Sequence, residues 1–113
     1  MWAGGAWVGQ ELDTGWVDVE PASGFTGTLQ VRRVGLRVQV RGDLIGTVPV
    51  GATTVGAIID TNLMPTDMNA RGACYLAGGT AGVSYVTTSG TIGVAHQSGT
   101  TKANPSLMCD YLR

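Results

Sequence analysis

Glycine and proline recur along the whole chain and leave no room for a helix of ordinary length. Eighteen of the 113 residues are glycine and four are proline. No window of eleven residues lacks a glycine, a proline or a cluster of β-branched residues, so an apolar stripe with the spacing i, i+3, i+4, i+7 cannot form. The glycines have no three-residue period, which excludes a collagen-like triple helix. The sequence therefore predicts an all-β fold with almost no helix.

The clearest strand in the sequence covers residues 36–41. Leu36, Val38 and Val40 alternate there with three polar residues, and a period of two places the two sets on opposite faces. We expect residues 29–34 to form the partner strand, because Gly35 can adopt the positive φ of a tight hairpin turn. The tripeptide Arg-Gly-Asp at 41–43 is expected to end the second strand.

Other short runs of β-branched or aromatic residues are separated by turn residues, a pattern typical of antiparallel sandwiches. They predict strands at residues 15–19, 53–59, 73–77, 83–87, 91–95 and 107–112. Residues 78–82 are expected to be a flexible glycine-rich connection, and Ser89-Gly90 a hairpin turn. The chain is short enough for one domain only. We predict an antiparallel β-sandwich or jelly-roll-like domain of seven to nine strands over residues 15–113.

The segment that precedes the first predicted strand is rich in glycine and tryptophan. Residues 1–14 contain Trp2 and Trp7. We interpret them as an N-terminal arm or attachment segment in which the two indoles pack on a neighbouring subunit or another protein. Trp16, by contrast, is expected in the core of the domain.

Charged residues are concentrated near the N-terminus. Positions 1–43 hold nine of the fifteen, whereas positions 44–101 hold only Asp60, Asp67 and Arg71. A small domain has much surface per residue, so a long uncharged segment indicates that another subunit covers part of that surface. The sequence therefore predicts a homo-oligomer.

The net charge and the hydropathy pattern exclude two classes of partner. The formal net charge is -1 and no run of basic residues is present, so binding to nucleic acid is not expected. No apolar stretch reaches the ~18 residues of a membrane helix, and the N-terminus lacks the basic and apolar regions of a signal peptide. We expect a soluble, unprocessed protein that does not insert into membranes.

The residues that could support catalysis or metal binding are few. Cys74 and Cys109 lie 35 positions apart, and His96 is the single histidine. These three lack any spacing known for a metal site, and no nucleophile, base and carboxylate occur together. We predict no enzyme activity, no metal and no cofactor. The cysteines are expected to be buried free thiols, and a disulfide stays possible if their two strands meet.

Several landmarks follow one another in a characteristic order. Gly15-Trp16 precedes a glycine-containing loop at Ser23-Gly24 and a hairpin over residues 29–42. The proline loop Leu63-Met64-Pro65 and a late glycine hairpin over residues 83–92 come next. This order, across residues 15–95, resembles the receptor-binding head domains of bacteriophage tail fibres and baseplates. In those domains the proline usually follows an aromatic residue and an arginine, and Leu63 and Met64 stand there instead.

The resemblance implies a β-sandwich head domain that assembles as a homotrimer in the virion, at a tail tip or fibre. It also implies contact with a saccharide on the bacterial cell surface and no catalysis. An alternative function on the same fold is a structural decoration or adaptor protein of the capsid or tail, which binds other virion proteins and no glycan.

Saccharide binding requires aromatic surface for the sugar ring and polar groups for its hydroxyls. The loop 65–71, in an otherwise uncharged region, and a second loop near residue 96 supply such side chains. The candidates are Asp67, Asn69, Arg71, Tyr75, His96 and Gln97. Each has a structural alternative: Asp67 and Asn69 can form turns, Arg71 can pair across a subunit interface, and Tyr75 can belong to the core.

Overall fold

The computed structural model describes residues 13–113, and nearly all of its regular structure is β. A single turn of 3₁₀ helix, Thr61–Leu63, is the exception within these residues. The strands are β1 (Val17–Asp18), β2 (Thr26–Val34), β3 (Arg37–Ile45), β4 (Thr47–Val48), β5 (Gly51–Ala57), β6 (Ala70–Leu76), β7 (Thr80–Val86), β8 (Thr91–His96), β9 (Lys102–Ala103) and β10 (Ser106–Leu112). Trp2 and Trp7 lie outside the described residues, so the expected attachment arm stays a prediction.

Eight of these strands form one antiparallel sheet, in the order β1-β2-β3-β10-β6-β7-β8-β5. The sheet curls until its two edges meet: Pro21, just after β1, forms a bridge with Gly56 of β5, and the amide of Ala22 donates to the carbonyl of Val55 at 2.7 Å. The strands β4 and β9 form a separate pair. The predicted antiparallel all-β fold with almost no helix is confirmed. Apart from β4 and β9, its strands belong to one continuous curled sheet.

The inner face of the curled sheet holds a single apolar core. Every second residue of the long strands points into it, as the period of two requires. Its members are fully or nearly fully buried: Leu29, Val31, Val38, Val40, Leu44, Val48, Val55, Ile58, Leu63, Cys74, Leu76, Val86, Ile92, Val94, Leu107 and Cys109. The core therefore leaves the alternate residues of the same strands for the outer surface.

The hairpin of β2 and β3 differs from its prediction at two points. Leu36 is 62% exposed, because it forms the turn together with Gly35 rather than starting the strand. β3 does not end at Arg41–Asp43 but continues to Ile45. Gly42 is buried there, and an added Cβ would lie 2.9 Å from Leu29 Cδ1, so glycine makes room for a core side chain instead of ending the strand.

The other strand bounds shift by a few residues. β1 covers only two of the five residues predicted, and β6 starts three residues early, at Ala70. β7 starts at Thr80, so most of the predicted glycine connection at 78–82 is strand. The main sheet has eight strands, within the predicted range, and β4 and β9 raise the total within residues 13–113 to ten. No helix in this part of the chain is long and apolar enough to cross a membrane.

Candidate functional site

The outer face of the sheet carries a cleft of about 230 Å³ that lies over β10. β3 supplies one wall, since its polar residues point outward, and pairing places Arg41 opposite Met108 and Gln39 opposite Asp110. β6 supplies the other wall, because Cys109 pairs with Gly72 and so brings Arg71 beside Asp110. The lining residues are Trp16, Gln39, Val40, Arg41, Arg71, Gly72, Met108, Cys109 and Asp110. We name this the β10 cleft.

Trp16 belongs to this cleft and not to the core, so its predicted burial is wrong. The ring is half-buried, and the Arg41 guanidinium carbon lies 3.7 Å from the ring centroid, a cation–π contact. Residues 13–18 run antiparallel along the edge of β2, where Asp13 forms a bridge with Val34 and an ion pair with Arg32 at 2.7 Å. This pairing places an aromatic ring beside polar residues of the sheet.

Asp110 supplies a fixed acceptor in the β10 cleft. Arg37 donates to it through Nε at 3.1 Å and through Nη2 at 2.5 Å, a bidentate pair. These hydrogen bonds lower the pKa of the Asp110 carboxyl, so it stays ionised near neutral pH. Because Arg37 neutralises the Asp110 carboxylate, Arg41 and Arg71 give the cleft a net positive charge.

A second cleft, of about 460 Å³, adjoins the first and shares Asp110 with it. The loop 65–70 forms one side and residues 110–113 form the other, and we name it the loop cleft. Arg113 Nε donates to the Met64 carbonyl at 2.7 Å and so holds the chain just before this loop. Asp67 is exposed, while Asn69 Oδ1 accepts a hydrogen bond from the Thr88 amide at 3.1 Å.

The candidates from the sequence are thus only partly brought together. Asp67 and Asn69 line the loop cleft, and Arg71 lines the β10 cleft beside it. Tyr75 is 62% exposed on the outer face of β6, four residues beyond Arg71, and is not a core residue. It lines neither of these two clefts.

His96 and Gln97 lie at the opposite end of the sheet from the loop cleft. Val86, at the end of β7, pairs with both Ala70 of β6 and Ile92 of β8. From there β8 runs away from Ala70, so its last residue, His96, lies far from the loop cleft. The His96 ring is 3% exposed; Nε2 lies 2.9 Å from the Val48 carbonyl oxygen and Nδ1 2.9 Å from Ser98 Oγ. Such burial with both nitrogens occupied is typical of a structural histidine. Gln97 is exposed in the following loop.

Five residues with side chains in the β10 cleft are not among the sequence-based candidates: Trp16, Gln39, Arg41, Met108 and Asp110. A signal for two of them was present, because the polar face of the clearest strand carries Gln39 and Arg41. Nothing in the sequence indicates that the last strand would lie beside it. Within residues 13–113, no group of three or more His, Cys, Asp or Glu side chains is placed to hold a metal ion.

The chain has the fold of a phage receptor-binding head domain, which a comparison with solved structures shows. It is similar to the crystal structure of the head domain of phage bIL170, described as a receptor-binding domain of a lactococcal phage. The TM-score is 0.68 at 24% sequence identity, over 87% of this chain and 96% of that chain. No protein-family model and no curated protein matches the sequence. The resemblance predicted from the order of landmarks is confirmed in the fold.

Proposed function

We propose that this chain is the receptor-binding head domain of a phage virion protein of tail-tip or fibre type, and that it adsorbs to a saccharide of the bacterial cell surface. The observation that carries the proposal is the β10 cleft, where Trp16, Arg41, Arg71 and Asp110 converge on the outer face of a head-domain fold. The proposal contains no catalytic step and no cofactor.

The side chains of the β10 cleft match the chemistry of a sugar ring. Sugar hydroxyls both donate and accept hydrogen bonds, so a site needs groups of both kinds. Arg41 and Arg71 only donate, the ionised Asp110 only accepts, and Gln39 does both. Trp16 and Met108 add apolar surface against which the C–H groups of a sugar can pack.

The loop cleft extends this site to a second sugar residue. Asp110 lines both clefts, so a saccharide chain bound to it reaches Asp67 and Asn69 without a gap. Asp67 can accept a hydrogen bond from a sugar hydroxyl. The Asn69 side-chain oxygen already accepts from the Thr88 amide, so Asn69 contributes its amide nitrogen as a donor. We include Asp67, Asn69 and Arg71 in the proposed site and leave out His96 and Gln97.

Adsorption to intact cells tests the proposal. The purified protein is titrated onto a panel of bacterial strains, with soluble wall polysaccharide of each strain as the competitor. We expect saturable, competed binding to at least one strain, weakened about tenfold or more by Arg71→Ala and less by Asp67→Ala. Gln97→Ala is the matched control, because Gln97 is equally exposed and lies at the other end of the sheet.

Two outcomes contradict the proposal. Binding that Arg71→Ala and Asp67→Ala leave unchanged places the site elsewhere. No binding by a folded protein favours the alternative function, a decoration or adaptor of the capsid or tail, and binding to purified virions then replaces binding to cells as the measurement.

We further propose a homotrimer in the virion that uses an apolar stripe on the outer face. Ala73 and Val83 lie side by side across β6 and β7, and Tyr75 with Ala81 forms the next row. All four are exposed in the single chain and belong to the uncharged segment 72–101. Removing this surface from water favours assembly by about 25 cal/mol per Å².

Attachment to other virion proteins through residues 1–14, with Trp2 and Trp7, remains a prediction.

A further inference from the structure

Three polar side chains form a chain of hydrogen bonds across the outer face of β1, β2 and β3. Asp18 lies opposite Gln30, and Gln30 lies opposite Arg41. Gln30 Nε2 donates to Asp18 Oδ1 at 2.9 Å, and Gln30 Oε1 accepts from Arg41 Nε at 3.0 Å and from Nη2 at 2.8 Å. The chain ends at the β10 cleft, where the same guanidinium lies over Trp16.

The chemistry of the two end groups fixes the orientation of the amide between them. A guanidinium has only donors and a carboxylate only acceptors, so the Gln30 oxygen must face Arg41 and its nitrogen must face Asp18. The flipped amide would set N–H against N–H and oxygen against oxygen. Gln30 is thus held by both neighbours, and it holds one edge of the guanidinium in turn.

We propose that Gln30 is the positioning residue for Arg41 in the saccharide site; this inference rests on the proposed function. Gln30 occupies Nε and one N–H of Nη2, and Trp16 covers a face of the guanidinium. The second N–H of Nη2 and the adjacent N–H of Nη1 are left as a parallel pair of donors. Such a pair fits two neighbouring acceptor oxygens, as presented by vicinal hydroxyls or a carboxylate of a sugar.

The positioning can be measured without any ligand. The Arg41 Nε–H, observed by ¹H–¹⁵N NMR of the full 113-residue protein, exchanges with solvent more slowly while Gln30 accepts its hydrogen bond. We expect Gln30→Ala to accelerate this exchange about tenfold and to weaken binding of the competing wall polysaccharide about fivefold, the size of one net hydrogen bond. Thr28→Ala, on the same face of β2, is the control for both measurements.

A double variant that exchanges the amide and the carboxylate between positions 30 and 18 should restore the hydrogen bonds. Gln30→Glu alone keeps the acceptor for Arg41 but faces the Asp18 carboxylate, and we expect weaker binding. The double variant Gln30→Glu, Asp18→Asn restores the chain of hydrogen bonds, because the amide introduced at position 18 donates where the Gln30 amide donated before. Recovery of slow Arg41 exchange together with polysaccharide binding in the double variant supports positioning, whereas recovery of binding with fast Arg41 exchange contradicts it.

The outcomes separate this inference from the proposed function. Unchanged Arg41 exchange in Gln30→Ala overturns the positioning role whether or not a glycan binds. Faster exchange with unchanged binding also overturns it, provided that Arg41→Ala weakens binding. If Arg41→Ala itself leaves binding unchanged, the proposed site is wrong, and the role of Gln30 in it falls with the site.

Discussion

Cys74 and Cys109 face the same core from neighbouring strands, yet they are out of register by two residues. Cys74 of β6 lies opposite Leu107, and Cys109 of β10 lies opposite Gly72. A disulfide needs the two Cβ atoms about 3.8 Å apart, whereas diagonal neighbours in a sheet are farther apart. Both cysteines are free and buried. The predicted free thiols are therefore confirmed, and meeting strands alone do not suffice for a disulfide.

We predict that neither thiol reacts with a water-soluble disulfide reagent in the folded protein at pH 8. Burial raises the pKa of both thiols from about 9.0 to about 11, so the reactive thiolate is scarce as well as inaccessible. Titration with such a reagent should find no thiol in the native protein and two after unfolding in denaturant. Fewer than two after unfolding would indicate an oxidised pair.

The same shift makes stability depend on pH in the alkaline range. A thiol with a raised pKa in the folded state favours folding below the unfolded pKa, near 9, and loses this contribution as pH rises towards 11. Each thiol accounts for at most about 2 to 3 kcal/mol. Between pH 8 and 11, the free energy of unfolding should fall more steeply for the wild type than for a Cys74→Ala, Cys109→Ala variant. Equal slopes would contradict this prediction.

The ion pair of Arg37 and Asp110 should have a small effect on stability that is complete above about pH 4 and is lost at lower pH. Both side chains are half-exposed, and such pairs contribute at most about 1 kcal/mol. Hydrogen bonds from Arg37 lower the pKa of Asp110, so the contribution is present above the unfolded value near 3.8 and disappears as pH falls through the folded value. Denaturant unfolding of Asp110→Asn should show a larger deficit at pH 7 than at pH 2. A deficit of equal size at both values would refute the electrostatic explanation.

Gly72→Ala should destabilise the fold by about 2 to 3 kcal/mol. The new Cβ would overlap the carbonyl oxygen of Met108 in the backbone of β10, which cannot move without breaking the ladder. Gly93→Ala is an informative comparison, because there the Cβ meets the ring of Tyr85, a partly exposed side chain that can turn away. Thermal unfolding should therefore show a larger loss for Gly72→Ala. A larger loss for Gly93→Ala would contradict the assignment of β10 as the rigid neighbour.

The proposed trimer predicts that a charge in the apolar stripe dissociates it. Val83→Glu places a carboxylate beside Ala73 in the stripe. Sedimentation equilibrium should give three times the 11.6 kDa chain mass for the wild type and one chain mass for the variant. Thr54→Glu is the control, since it is equally exposed on β5, away from the stripe. A wild-type monomer at micromolar concentration would disprove the trimer.

Local sequence patterns were sufficient for most of the strands. The alternation around Val38 and Val40 identified β3 and the buried face correctly, because the period of two depends only on neighbouring residues. The predicted end of β3 is wrong, because the sequence does not distinguish a glycine that ends a strand from a glycine that makes room for a large side chain on the neighbouring strand. Only the position of Leu29 on the neighbouring strand distinguishes the two cases at Gly42.

The candidate site was much less predictable than the strands. Arg71 and Asp110 are 39 positions apart and meet only because β10 inserts between β3 and β6. His96 looked accessible among small polar residues, although β4 and the loop after β8 cover it. Trp16 is apolar enough for a core, and its place on the outer face follows from the pairing of residues 13–18 along the edge of β2. These placements depend on strand order, which no local pattern encodes.

The central place of β10 has a consequence for how the chain folds. On one side of it lies the β2–β3 hairpin with β1, and on the other lie β6, β7, β8 and β5. Without residues 106–112, ladder contact between these two groups is reduced to the single bridge of Pro21 and Gly56. A chain without β10 therefore leaves each group with an unpaired edge strand, β3 in one and β6 in the other. Nascent chains that stall before residue 106 present two open edges to aggregation or to a chaperone.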